Sequence, residues 1–190
     1  LDFKMNSHAK FSLKIIISML PAAFIGLFFQ NKIETLFSRN LVLVGTMLLL
    51  TAIILFLADR TKGAQNKISF PDAIILGTVQ AIAILPGISR SGFTISSAVL
   101  LGIDRQKAAR FSFLMVLPLI FGSMAKTLHD LQGVPQNINI LALILGFISS
   151  FISGIVACKW MISIVKKSQL KFFSYYCILA GGLTLVYGLL

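Results

Sequence analysis

Five apolar runs, each near the length that a helix needs to cross a bilayer, constrain the fold of this chain more than any other feature of its sequence. A membrane-spanning helix needs about 17–25 consecutive, mostly apolar residues. The runs are Phe11–Phe29, Leu41–Ala58, Ala108–Ala125, Ile138–Cys158 and Phe172–Leu190. They predict an all-α polytopic membrane protein in which residues 1–190 form one membrane domain.

The overall composition excludes a water-soluble fold. Hydrophobic residues make up 57% of the chain and charged residues 12%, against about 45–50% and about 25% in average soluble domains. Because a soluble protein of this size cannot bury so much apolar surface, lipid must cover it. The two cysteines, Cys158 and Cys177, lie in apolar runs without the spacing of a disulfide framework or a zinc site.

Between the second and third runs lies a different apolar region, Pro71–Ile103, which is broken between Leu85 and Gly92 by proline and glycine. The limb Asp72–Leu85 would be roughly 21 Å long as a helix, and the limb Gly92–Ile103 roughly 18 Å. Neither limb crosses a hydrocarbon core of about 30 Å. The region is therefore either a re-entrant helical hairpin or one crossing segment with a broken centre.

The distribution of basic residues favours the hairpin. Segments 1–14, 59–70, 104–110 and 159–171 carry 13 of the 17 lysines and arginines, and a hairpin places all four on one side. A crossing segment divides the basic residues 7 against 9 between the two sides. Since cytoplasmic loops carry the excess of Lys and Arg, the amino end is predicted to be cytoplasmic and Leu190 to lie outside. The net charge of +11 is then explained by these loops rather than by nucleic-acid binding.

Two local patterns predict how the helices begin and pack. Ser69 and Asp72 have the spacing of a capping box, which predicts the start of the first limb. In the fourth run, small residues recur at intervals of four and predict a close approach by another helix. This stripe consists of Ala142, Gly146, Ser150, Gly154 and Cys158.

An arginine inside the break of the hairpin marks the candidate site. Irregular backbone at membrane depth is tolerated only inside protein or beside a water-filled cavity, and an intramembrane arginine is by default a functional residue. Arg90 carries a planar fork of donors suited to phosphate oxygens. Gly87 and Gly92 allow the backbone to turn. With Gly92 starting the second limb, the amides of Ser91, Gly92 and Phe93 would point out of the helix start towards an anion.

Hydroxyl and amide side chains add to this predicted anion site. Ser89, Ser91 and Thr94 supply hydroxyls beside the arginine, and phosphate is the expected anion. Gln80 lies in the middle of the first limb, where it either forms a hydrogen bond across the hairpin or reaches a ligand. The alternative for Arg90 is that its side chain snorkels to an interface and the glycines only form a turn.

No acidic group accompanies the predicted anion site. Glu34 is the only glutamate and lies in a loop, and no carboxylate is embedded in any span. His8 and His129 are predicted to lie in solvated loops. Because cleavage of a phosphate ester or anhydride needs an acid–base group, a nucleophile or a metal, the chain carries half of a hydrolytic site.

The motif around the arginine resembles that of a known family. Ala73–Gln80, read with Leu85–Thr94, resembles the second signature of the bacterial undecaprenyl-diphosphatase family, and Leu20–Gly26 resembles that family's preceding membrane helix. The resemblance implies an enzyme that removes the terminal phosphate from undecaprenyl diphosphate. It recycles the lipid carrier for peptidoglycan synthesis and confers bacitracin resistance. The implied fold has about five transmembrane helices and this re-entrant hairpin as part of two inverted repeats, around a pocket open to the outer side.

The resemblance also implies roles for individual residues. Arg90 and Ser89 would be catalytic, with Arg90 binding and neutralising the diphosphate and Ser89 lining the same pocket. The substrate-binding residues implied are Gly87, Ser91, Gly92, Thr94 and Gln80. The family's first signature, with its glutamates, serines and a histidine, has no match. Because the chain also begins at Leu1 rather than at a methionine, we expect it to be the carboxy-terminal portion of such an enzyme.

The remaining expectations concern the surroundings of the protein. A magnesium or calcium ion is implied by the resemblance alone, since no ligand cluster is visible. The implied partners are a polyprenyl diphosphate lipid and the bilayer, without nucleic acid, and a homodimer is left open. The implied location is the bacterial cytoplasmic (inner) membrane, with the site facing the periplasmic side. A lipid-phosphate transporter that uses the same anion site without hydrolysis is the alternative, and release of inorganic phosphate separates the two.

Overall fold

The computed structural model describes residues 7–29, 35, 40–61, 65–130, 139–167 and 169–189. Within these ranges the regular structure is helical, apart from one isolated β-bridge. The seven helices are α1 (Ser7–Phe28), α2 (Leu41–Arg60), α3 (Phe70–Ile82), α4 (Arg90–Leu100), α5 (Arg105–Asp130), α6 (Ile140–Lys166) and α7 (Leu170–Leu189).

Five of these helices, α1, α2, α5, α6 and α7, are long and apolar enough to cross a membrane, which confirms the five predicted spans. Their ends differ from the predicted bounds. Helix α5 begins at Arg105 and ends at Asp130, and α6 continues past Cys158 to Lys166. An apolar run marks only the part of a helix that lipid covers, whereas the backbone hydrogen bonds continue into the polar interface. His129 consequently lies in the last turn of α5 rather than in a loop.

The two limbs of the predicted hairpin are α3 and α4, which pack against each other. The predicted capping box is confirmed at the start of α3. The Ser69 hydroxyl accepts a hydrogen bond from the Asp72 N–H at 3.2 Å, and the Ser69 N–H donates to the Asp72 carboxylate at 2.8 Å. Both helices are one residue shorter than the predicted limbs: α3 ends at Ile82, where the turn of residues 83–89 begins, and α4 ends at Leu100.

The two ends of this segment lie side by side. Asn66, before α3, forms a parallel β-bridge with Ile103, after α4, and the Asp104 N–H donates to the Asn66 carbonyl oxygen at 3.3 Å. The chain therefore enters and leaves the segment at one place. This is the geometry of a hairpin, and it excludes a single crossing segment.

Arg105 ties this entry point to the end of α2. Its Nη2 atom donates to three carbonyl oxygens, those of Ala58, Asp59 and Thr61, at 3.1, 3.2 and 2.9 Å. The side chain is only 9% exposed. A guanidinium is well suited to this position, since the last carbonyl groups of a helix lack intrahelical partners. The carboxyl end of α2 and the start of α5 are thus held at the same level as the ends of the hairpin.

Helices α2 and α7 form an antiparallel pair in close contact. A Cβ atom at Gly45 would lie 2.7 Å from Leu185 Cγ and 3.0 Å from the Gly181 carbonyl oxygen. Further along the pair, the Ser174 hydroxyl donates to the Ala52 carbonyl oxygen at 2.7 Å. Small residues let the two backbones approach, as in other membrane helix pairs.

The stripe of small residues on α6 does not make the close contact that its spacing predicted. All five of its members are exposed, and no atom of the described residues comes within 4 Å of a Cβ built at Gly146 or Gly154. The close approach occurs between α2 and α7 instead. Small residues permit contact between helices, but the topology decides which helices are neighbours.

Substitution of Gly45 by leucine is expected to destabilise the protein, because the larger side chain must displace Leu185 and the α7 backbone. Overpacking of this kind costs about 1–3 kcal/mol. Thermal unfolding of the protein in detergent would measure the effect. Gly146→Leu on α6 is the matched control, and we expect it to leave the unfolding temperature unchanged or slightly raised. Equal unfolding temperatures for both variants would contradict the α2–α7 packing.

Candidate functional site

The turn between α3 and α4 is pressed against α2 at a glycine. Gly87 has a φ of +96°, a conformation that residues with a side chain rarely adopt. A Cβ atom at this position would overlap the carbonyl oxygen of Val44 and lie 3.1 Å from Met47 Cβ. Both the backbone conformation and the close approach therefore require glycine here.

A hydrogen bond from Ser89 holds the end of this turn against the middle of α2. Its N–H donates to the Thr51 hydroxyl at 3.3 Å. Thr51 is buried and lies near the centre of the twenty-residue helix α2, roughly 15 Å from either end at 1.5 Å per residue. The sequence analysis missed Thr51. A hydroxyl in the middle of an apolar span was the available signal, but nothing local indicated its partner.

Helix α4 begins at Arg90 and not at Gly92, which corrects the predicted start. Ser89 is the N-cap residue: its hydroxyl accepts from the Gly92 N–H at 3.3 Å and its carbonyl oxygen accepts from the Phe93 N–H at 2.7 Å. Serine is among the preferred N-cap residues because it satisfies an otherwise free amide. The amides of Gly92 and Phe93 are therefore occupied, and in the described structure the free N–H groups at this helix start are those of Arg90 and Ser91.

Two side-chain nitrogens of the hairpin are buried without a hydrogen-bond partner among the described residues. They are Nε of Arg90, whose side chain is half-buried, and Nε2 of Gln80, whose side chain is 1% exposed. Buried donors without partners are uncommon and costly. Gln80 makes no hydrogen bond across the hairpin to any described residue, so the first of its two predicted alternatives is not observed. The second, contact with a ligand, stays a prediction.

Thr94 connects Arg90 to helix α5. The Thr94 hydroxyl donates to the Arg90 carbonyl oxygen at 2.8 Å, one turn earlier. The hydroxyl oxygen of Thr94 also lies 2.5 Å from the hydroxyl oxygen of Ser112, and both side chains are buried. The sequence analysis did not single out Ser112. Its signal was a serine in an apolar span, and again the partner lies on another helix.

A cavity of about 340 Å³ adjoins the turn. Gly87, Ser89, Ser91 and Gly92 line it. Arg90, Thr94 and Gln80 do not. The structure therefore brings four of the predicted site residues together and places the other three outside this cavity. The remaining wall is mostly apolar. It comes from the turn and from α2, α6 and α7, with Ile88, Leu48, Leu55, Met161, Phe173, Tyr176 and Cys177.

The arrangement suits an anion with an apolar tail. The guanidinium and two free amides lie at the start of α4, where the helix dipole is positive. The cavity beside them combines two serine hydroxyls with apolar walls. A charged head would bind at the start of α4, and a hydrocarbon chain would contact the apolar wall of the cavity.

The described residues do not fit a divalent metal site. No group of three or more His, Cys, Asp or Glu side chains comes together in the part of the chain that the structure describes. Magnesium and calcium are bound chiefly through carboxylate and carbonyl oxygens, and residues 73–103 contain no carboxylate. No step of the chemistry is therefore assigned to a metal held by these residues.

Comparison with known proteins identifies relatives along nearly the whole chain. The family model "Bacitracin resistance protein BacA" matches residues 2–183. A protein of Christiangramia forsetii named undecaprenyl-diphosphatase is 54% identical over 187 residues, which cover 98% of this chain and 71% of the relative. Proteins with the same name from Bacteroides fragilis and Methanobrevibacter smithii are 46% and 36% identical over 188 and 170 residues. These matches cover 97% and 88% of this chain, and 71% and 61% of the relatives.

Gly87→Ala is expected to disrupt the turn, because the added methyl group meets the Val44 carbonyl oxygen in a backbone conformation that alanine disfavours. We expect a loss of at least about 1 kcal/mol in unfolding free energy, measured by thermal unfolding in detergent. Gly182→Ala on α7 is the matched control, because a Cβ atom at this position has no neighbour within 4 Å among the described residues. It should not lower stability. A Gly87 variant as stable as this control would contradict the described turn.

Proposed function

The chain belongs to the bacitracin resistance protein BacA family, and from this membership we propose how its hairpin takes part in the hydrolysis of undecaprenyl diphosphate. The products are undecaprenyl phosphate and inorganic phosphate, and the reaction returns the lipid carrier to peptidoglycan synthesis. Relatives at 46–54% identity that bear the name undecaprenyl-diphosphatase support this activity. The protein is a multi-pass membrane hydrolase.

One observation carries the assignment of the hairpin to the diphosphate. Arg90 presents a guanidinium with a buried, unpartnered Nε at the first residue of α4, next to free amides, near the middle of α2. A charged donor in this position needs an anion. Diphosphate oxygens would accept from the guanidinium and from the amides of Arg90 and Ser91 at the positive end of the helix.

The proposed role of these donors is to stabilise developing charge. In the reaction, water attacks the terminal phosphorus, the bond from that phosphorus to the bridging oxygen breaks, and the bridging oxygen remains with the lipid phosphate. Negative charge increases on the oxygens during this step, and fixed donors aimed at them lower the barrier. The group that activates the water is not assigned to residues 73–103, because they contain no carboxylate or histidine.

The cavity beside the turn is proposed to hold the part of the lipid next to the phosphates. Ser89 and Ser91 offer hydroxyls at its polar edge, while Phe173, Tyr176 and Met161 provide an apolar wall. A polyprenyl diphosphate matches this arrangement, because its charged head is followed by a hydrocarbon chain. Thr94, fixed by Ser112, would keep the first turn of α4 in position.

We also propose the orientation in the membrane. Thirteen of the 17 basic residues lie in the segments at the end where the hairpin enters, which assigns that end to the cytoplasm. The turn of the hairpin then points away from the cytoplasm, and the site opens to the periplasmic side of the bacterial inner membrane. The magnesium or calcium ion that the resemblance implies is not assigned to residues of this chain.

Arg90→Ala in the intact protein is expected to lower the rate of inorganic phosphate release at least about 10²-fold, because a fixed donor to the developing charge is lost. Arg90→Lys should recover only part of the activity, since an ammonium lacks the planar fork. Arg60→Ala removes an exposed arginine at the end of α2 and is the matched control with normal turnover. Near-normal phosphate release by Arg90→Ala would refute the assignment. Transport of lipid phosphate without phosphate release would instead favour a transporter.

Ser112→Ala is expected to reduce kcat by roughly tenfold with a smaller change in KM, because Thr94 loses the contact that positions the start of α4. Ser112→Thr keeps a hydroxyl and should restore most of the rate. Ser123→Ala, an exposed serine of the same helix, should not alter kcat. If Ser112→Thr were as slow as Ser112→Ala, the hydroxyl would have no positioning role.

A further inference from the structure

A second and larger cavity, of about 780 Å³, lies at the end of the helices where the hairpin enters. It is formed by the first turns of α1 and α5, the segment before α3, and the later part of α6. The turn of the hairpin lies at the opposite end of α3, roughly 20 Å away along a helix of 13 residues. Five basic residues line this cavity: Lys10, Lys14, Lys67, Lys107 and Arg110.

Two of the five basic residues also hold the cavity wall in place. The Lys14 ammonium donates to the Ile68 carbonyl oxygen at 2.6 Å and lies 5.0 Å from the centre of the Phe70 ring. The Lys107 ammonium donates to the Gln65 carbonyl oxygen at 3.3 Å. Both therefore fix the segment that leads into α3, and each keeps further N–H groups for a ligand.

The other three basic residues have no such partners. Lys10, Lys67 and Arg110 are exposed and make neither a side-chain hydrogen bond nor an ion pair within the described part of the chain. Two described carboxylates are close to Lys67 and Arg110 in sequence, and both are engaged elsewhere. Asp72 accepts from the Ser69 N–H at 2.8 Å, and Asp104 accepts from the backbone N–H of Lys107 at 3.0 Å. Basic side chains from three separate segments thus converge on one space without an acidic partner among the described residues, and a bound anion would relieve their mutual repulsion.

The rest of the wall is apolar and shows what kind of anion fits. Phe11, Ile68, Phe113, Leu114 and Ile162 contribute side chains to the cavity. A small soluble anion would leave these apolar side chains exposed to water. An amphiphile would place its charge among the basic residues and its hydrocarbon chain against the phenylalanine and isoleucine side chains. Basic pockets between transmembrane helices are suited to anionic lipid headgroups in this way.

We propose that this cavity is a second lipid site, which binds the phosphate head of an anionic lipid with its hydrocarbon chain against Phe113 and Ile162. It is distinct from the site at Arg90, because it lies at the other end of the hairpin and shares none of the lining residues of the smaller cavity. By the charge distribution it faces the cytoplasmic leaflet. The chemistry that it recognises, a phosphate ester on an apolar chain, is common to phospholipids and to polyprenyl phosphate.

The test measures lipid binding by the intact protein in nanodiscs or by native mass spectrometry. The probes are phosphatidylglycerol, undecaprenyl phosphate, phosphatidylcholine and inorganic phosphate. The variant combines Lys10→Gln, Lys67→Gln and Arg110→Gln, and leaves Lys14 and Lys107 in place because they hold the wall. The matched control combines Lys166→Gln, Lys167→Gln and Lys171→Gln, which removes three exposed charges from the same end outside the cavity.

We expect at least one of the two anionic lipids to bind more tightly than phosphatidylcholine. The cavity variant should bind that lipid about tenfold or more weakly, while the control changes by less than about threefold. The lipid that binds more tightly identifies the source of the phosphate ester. Equal losses in the variant and the control would overturn the site, as would binding of inorganic phosphate as tight as that of either lipid.

Two further measurements keep the result interpretable. The double variant Lys10→Gln and Lys67→Gln changes only exposed side chains and should weaken binding about threefold or more, so a folding defect in the triple variant would not remove the test. Arg90→Ala should bind lipid in this cavity as the unaltered protein does. Loss of phosphate release with retained lipid binding separates the hydrolytic site from this one.

Discussion

The turn that interrupts helical structure in the middle of a membrane helix bundle is the constraint on which the rest of this structure depends. In hydrocarbon every free N–H and C=O group must find a partner or a polar cavity. As the cap of α4, Ser89 accepts hydrogen bonds from the N–H groups of Gly92 and Phe93. Its own N–H donates to the Thr51 hydroxyl. Gly87 lets the turn lie directly on α2. The donors left without a partner among the described residues include Nε of Arg90 and the amides of Arg90 and Ser91, which is why the break is suited to bind an anion.

Helix α2 is the element that positions this break. The turn of the hairpin lies against its middle through Thr51, and Arg105 ties the ends of the hairpin to its last carbonyl groups. On another side, α7 packs closely through Gly45 and Gly181. Because one rigid helix holds both ends of the hairpin at fixed levels, the depth of Arg90 in the bundle is determined by helix geometry rather than by a flexible loop.

The uneven distribution of charge connects the topology to the chemistry. Most basic residues lie at the end where the hairpin enters, and there they both favour one orientation in the membrane and line the larger cavity. A single arginine lies at the far end of the hairpin, where no other charge from residues 73–103 accompanies it. The first group is suited to long-range attraction at an interface, whereas the proposed role of Arg90 is to form directed hydrogen bonds to a bound anion.

The sequence alone determined the spans, the hairpin, the capping box of α3 and the identity of Arg90 as the unusual charge. Each of these depends on hydropathy, charge or spacing within a few neighbouring residues, so local patterns suffice. Only the tertiary structure decided that α4 starts at Arg90, that Arg90 and Thr94 lie outside the cavity lined by Ser89 and Ser91, and that α7 rather than the stripe of α6 makes the close helix contact. The partners Thr51 and Ser112 also came from the tertiary structure. These features depend on which residues of distant helices meet, and packing between helices, not the order of residues along one of them, determines that.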